Sequence, residues 1–245
     1  MSRAPNQFNS YNQAGAYPLD YSAEGSGQAV AAFFNAVYAW MCAGLALTGV
    51  VAWYVAANPH ILIQLGGGIW LLFIVELVLV GVISAAVQKV NATVATMLFL
   101  LYAGINGIVL SGIFILYAHA VLASAFAVTA GMFGAMSLYG FLTKKDLSGF
   151  GSLLFMGLIG IIIASVVSIF WHNSMLNVAI NYIGVLIFVG LTAYDTQMLK
   201  QWAVQTSGNA ALAARMSISG ALSLYLDFLN LFLFLLRIMG NNSNR

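Results

Sequence analysis

Residues 175–200 read MLNVAINYIGVLIFVGLTAYDTQMLK, a long apolar run with one acid, Asp195, near its end. About 20 consecutive apolar residues suffice to cross a bilayer as a helix, so the run reads as a membrane span. A second acid is placed the same way in SLYLDFLNLFLFLLRIMG, residues 223–240, where Asp227 is flanked by leucines and aromatics. The chain has only six acidic residues. Two of them at membrane depth, where a charge costs about 3 kcal/mol on insertion scales, call for a function.

The rest of the sequence agrees with the first run. Of 245 residues, 62% are hydrophobic and 6% charged, against roughly 25% charged in soluble domains. Seven apolar segments can be marked, at roughly 30–57, 68–88, 94–117, 120–142, 150–171, 176–199 and 218–239. None contains a proline, and none alternates in the manner of a barrel strand. The expected fold is therefore all-α, with seven transmembrane helices in residues 29–245. Residues 1–28, rich in Asn, Gln, Ser, Gly and Tyr, read as a disordered polar tail with no signal-peptide pattern.

Charge sets the expected orientation. Arg3, Lys89, Lys144, Lys145, Lys200 and Arg215 fall on one side of the seven spans, and only Arg237 and Arg245 on the other. The positive-inside rule then puts the N-terminus in the cytoplasm and the C-terminus across the membrane. His60, His119 and His172 fall on the outer side, too far apart in sequence for a helical zinc motif. A net charge of +2 without a basic stripe speaks against nucleic acid. Cys42, the single cysteine, is expected to be a packing residue.

Helical spacing gives each aspartate its companions. Asn181, Gly184, Phe188, Thr192 and Asp195 share one stripe, and Gly220, Ser223, Asp227 and Asn230 share another. Both faces are small and polar, suited to packing helix on helix. Counted from the span ends, both aspartates lie in the inner half, where two poorly solvated carboxyls would titrate as one coupled pair. Glu76 lies alone in span two, as either a cavity-facing acid or an incidental polar contact. Lys89 reads as an inner-boundary anchor within reach of a carboxylate. Gly104 with Gly107, and Gly131 with Gly134, are expected to mark close helix approach, and Gly157 and Gly160 are grouped with them as packing glycines. No cofactor is expected. With few carboxylates, Asp195 and Asp227 would hold calcium only weakly, since calcium takes six to eight oxygens.

Two motifs, VGLTAYDTQMLK at 189–200 and ALSLYLDFLNLFLFLLRIMG at 221–240, resemble signatures of the Bax inhibitor-1 (transmembrane Bax-inhibitor-motif) family. AGMFGAMSLYGFLTKKDLSGFG, 130–151, is similar to the family's segment between spans four and five. The resemblance runs from about Ala31 to Gly240 and is strongest to bacterial inner-membrane members. It implies six helices around a central, C-terminal seventh, and a pH-sensing pair, mapped onto Asp195 and Asp227, that gates a calcium leak. Asn181, Thr192, Ser223, Asn230, Glu76 and Lys89 are candidates for the ion pathway or a latch. Family members carry an arginine near the inner end of span two, where this chain reads AAVQKV, 85–90. The main alternative is a regulator that transports nothing and binds a membrane protease or another integral protein. An intramembrane aspartyl protease fits poorly, because Asp227 follows LYL instead of Gly-x-Gly and no proline follows Pro59.

Overall fold

The computed structural model describes residues 23–86, 90–171 and 173–243. Among them there are helices and no strand: α1 Ala23–Ala57, α2 His60–Leu65, α3 Gly68–Ala86, α4 Ala92–Leu116, α5 His119–Leu142, α6 Ser148–Phe170, α7 Ser174–Gln205 and α8 Ala210–Ser243. Six of these, α1 and α4 to α8, are long and apolar enough to cross a membrane. Helix α3 occupies the place of the expected second span in 19 residues, with a shorter apolar stretch, Ile74–Ile83, and is not among the six. Lys89, His172 and most of the N-terminal tail lie outside the described residues.

Asparagines set three of the starts. The side chains of Asn91, Asn173 and Asn209 accept from the first free N–H groups of α4, α7 and α8, which would otherwise lack partners. That cap is why α8 begins at Ala210, eight residues before the apolar segment. Helix α1 likewise begins at Ala23, ahead of the expected boundary, and α7 continues to Gln205.

Helix α8 is the interior element. It packs against α1, α4, α5 and α7, while α3 lies on α4 and α6 on α7. The expected ring of six is thus a shell of four, with α3 and α6 largely outside it. Leu224, Tyr225, Leu231 and Leu236 of α8 are fully buried, whereas Leu71, Leu77, Phe155, Ile163 and Leu186 on the surrounding helices are exposed. Large exposed apolar side chains on every side are what a lipid-facing surface requires. Cys42 is exposed on α1 and does not pack as expected.

The charged connections gather at one end. Gln197 of α7 bonds the α5–α6 loop, and Arg215 of α8 reaches the Val90 carbonyl between α3 and α4. In the same loop Asp146 accepts from the Ser148 hydroxyl and N–H. These bonds, the hydroxyl's first, hold its carboxyl below the usual range. The loop contact is present above the unfolded carboxylate value of about 3.9 and is lost as pH falls through the lower folded one. Trp53 and Trp171 are exposed at the opposite end, as interfacial aromatics are.

Candidate functional site

Asp195 and Asp227 meet. Their carboxyls are within hydrogen-bonding reach of each other, one from α7 and one from α8. Asp227 is buried, at 5% exposure, and its Oδ2 has no donor. Two ionised carboxylates can only accept, so a bond between them requires one shared proton.

The pair faces a cavity of 1130 Å³ bounded by α6, α7 and α8. Ser148 and Gly151 line the end nearer the basic connections, and Ser165 and Phe234 the opposite end. The cavity exists because α6 packs on α7 and leaves α8 partly uncovered. Ser223 and Asn230, chosen by spacing from Asp227, line it as well. Ser165 also lines a second cavity, of 380 Å³, with Ser168, Asn177, Asn181 and Arg237. A third, of 750 Å³, shares Asn177, Asn181 and Arg237 with the second. The three follow one another along α7 and α8, from the end with the basic connections, past the aspartates, to the opposite end.

Other candidates fall elsewhere. Thr192 is fully buried, and its hydroxyl donates to the Phe188 carbonyl of its own helix at 2.8 Å. It does not line the aspartate cavity. Asn181 shares the stripe of Asp195 but lies at the end away from the basic connections. Glu76 belongs to a separate polar cluster, in electrostatic reach of the Tyr102 and Tyr225 phenols. There Thr48 donates to the Ala103 carbonyl (2.8 Å) and shares a 2.7 Å bond with the Tyr225 hydroxyl. The Asn106 amide donates to Tyr102, while Glu76 Oε1 and Asn106 Oδ1 are buried without partners. Tyr225 and Asp227 are two residues apart, hence about 200° around α8. That offset separates the two clusters.

Sequence reading missed the polar links that hold α7 in place. Ser137 of α5 bonds both Tyr38 of α1 and Thr196 of α7. Gln197 accepts from the Leu147 N–H and donates to the Lys145 carbonyl, both at 2.8 Å. Lys200 donates to the Phe141 carbonyl at the end of α5 and lies over the Phe141 ring, where a cation suits the helix C-terminus. The residues after Asp195 therefore fix the α5–α6 loop. Gln197→Leu removes two loop bonds, worth about 1 kcal/mol each. Tryptic cleavage after Lys144 and Lys145 is expected to quicken several-fold in folded protein; unchanged cleavage would deny Gln197 this role.

Comparison with known proteins follows the same motifs. The family model described as Inhibitor of apoptosis-promoting Bax1 matches residues 30–244. Inner membrane protein YbhL of Escherichia coli K12 is 55% identical over 210 residues, covering 84% of this chain and 89% of that protein. An uncharacterised protein of Deinococcus radiodurans is 45% identical over 214 residues, 87% of this chain and 91% of that one. An uncharacterised membrane protein of Streptococcus pyogenes is 44% identical over 169 residues, 69% and 72% of the two chains.

Proposed function

The chain belongs to the Bax inhibitor-1 family, and from that premise we propose that it is a pH-responsive calcium leak gated by Asp195 and Asp227. The observation that carries the reading is the series of cavities with the aspartate pair inside it. Carboxyl oxygens are what a hard cation seeks. Two of them, with Ser223 and Asn230 beside them, offer brief occupancy suited to a leak. No chemical step is assigned to the pair. Glu76 and its buried neighbours are a second polar position in the bundle, apart from this route.

The protein is read as a multi-pass inner-membrane protein with seven spans, α3 included. The end carrying Lys144, Lys145, Lys200 and Arg215 is assigned to the cytoplasm by the positive-inside rule. A reporter active only in the cytoplasm, fused after Arg245, is expected to be silent. An active fusion would overturn the seven-span topology.

The decisive measurement is calcium entry into liposomes that contain only the purified protein. Flux down the calcium gradient, without an energy source and above that of empty liposomes, is the expected result. Flux equal to empty liposomes at every pH would replace this reading with that of a regulator acting through another membrane protein.

A further inference from the structure

The outer end holds a charge that the leak reading does not use. Among the described residues, Arg237 of α8 is the only cationic side chain lining the three cavities, and no carboxylate lines the two that it borders. Among the described residues Arg237 makes no ion pair; its guanidinium lies 5.8 Å from the centre of the Phe234 ring. The aromatic face attracts the cation at that distance, and the guanidinium carries five N–H donors that a ligand can use.

The surrounding side chains are donors. Asn177 and Asn181, one helical turn apart on α7, line both cavities that Arg237 lines. Among the described residues no hydrogen bond within the protein occupies either amide side chain, whereas the Asn230 amide on α8 donates to the Leu226 carbonyl. Helix α5 opens at the same vestibule with no side chain capping its first N–H groups, so its dipole adds positive potential. Gly240 lies against the Tyr117 ring, which ties the end of α8 to the α4–α5 corner and gives the vestibule a fixed wall. Arg237 is ten residues, about 15 Å, outward from Asp227. It lies in the last turns of the membrane-crossing stretch Ala210–Asn241, from which a long cationic side chain can reach the headgroups.

We infer that Arg237, Asn177 and Asn181 form an anion site that takes a phosphate group, through a forked guanidinium contact and two amide donors. A phosphate presents paired oxygens that match the guanidinium fork, and charge-assisted bonds of this kind are about twice as strong as neutral ones. The phosphate can come from a phospholipid headgroup or from solution; both present the same oxygens to the site. The inference stands independently of the leak reading, since it concerns binding at the outer end alone.

The test uses the full chain, delipidated in a phosphate-free maltoside detergent. One arm titrates inorganic phosphate and follows its ³¹P line width. The other titrates short-chain phosphatidylglycerol and counts retained lipid by native mass spectrometry. Saturable binding is expected in at least one arm, weakened about tenfold or more by Arg237→Gln, as loss of one charge-assisted contact implies. Arg237→Lys, which keeps the charge without the fork, should fall between the two. Asn181→Leu should weaken binding with the guanidinium intact, and Lys144→Gln at the other end should change nothing. Response in the lipid arm alone assigns the site to a headgroup, and response in the phosphate arm alone or in both assigns it to the anion itself. Absence of saturable binding in both arms, or equal binding by wild type, Arg237→Gln and Asn181→Leu, overturns the site and leaves Arg237 a plain interfacial anchor.

Discussion

Reconstituted Asp227→Asn protein is expected to pass calcium at a rate that no longer follows pH, while the wild type leaks faster as pH rises. The two carboxyls bond only by sharing a proton. When the pair gives it up, the bond between α7 and α8 becomes a repulsion, and the cavity gains a negative charge beside any entering cation. A unit charge at 4 Å is worth about 4 kcal/mol at an effective dielectric of 20, and a change of about 1.4 kcal/mol is already tenfold in an equilibrium. A pH response of tenfold or more is therefore expected in the wild type. An asparagine at 227 can donate permanently to Asp195, so the helix contact persists and the shared proton is gone. Asp195→Asn should flatten the profile in the same way from the other helix. Calcium uptake measured across a pH series decides the matter. If both variants keep the wild-type profile, the channel reading survives and the aspartate mechanism does not.

Gly140→Leu should remove folded protein, and Gly134→Leu, six residues earlier on the same helix, should leave it intact. A Cβ at Gly140 would fall on the Ala193 backbone, carbonyl included, whereas one at Gly134 meets nothing within 4 Å. Backbone cannot rotate aside as a side chain can. Helices α5 and α7 would have to separate, breaking the Ser137–Thr196 bond three residues away. Overpacking typically costs 1–3 kcal/mol and occasionally more; with backbone as the obstacle, about 3 kcal/mol or more is expected. Asp195 lies between Ala193 and Thr196, so any surviving fold would also displace its carboxyl from that of Asp227. The measurement is the yield of monodisperse protein and its thermal midpoint. Equal behaviour of the two leucine variants would refute the close approach of α5 and α7.

These two glycines mark the limit of reading from sequence. Gly104, Gly131, Gly134 and Gly160 have open space where a Cβ would go, while Gly107 meets Thr48 and Val51, and Gly157 meets Ile187. Spacing alone picked out the group and could not sort it. Thr192 and Asn181 make the same point, since both share the stripe of Asp195 and neither lines the cavity that it lines. The aspartates themselves were legible because an acid in an apolar run is an anomaly that needs no partner to be noticed.

The sequence by itself determined the membrane class, the positions of the helices, the segregation of basic connections and the family. Each of these is local. Whether about 20 residues cross a bilayer depends on their own transfer energy, and the Asn caps act within a turn. Only the tertiary structure decided that α8 is covered by four helices, that α6 leaves a cavity over Asp227, and that Glu76 belongs to the Tyr102–Tyr225 side. It also decided that, among the described residues, Arg237 shares its cavities with amides and with no carboxylate. In a soluble helix the polar face would announce the outside. In a bilayer both the lipid and the protein interior are apolar, so hydropathy does not tell which face packs. That choice is made by side-chain fit between segments far apart in the chain.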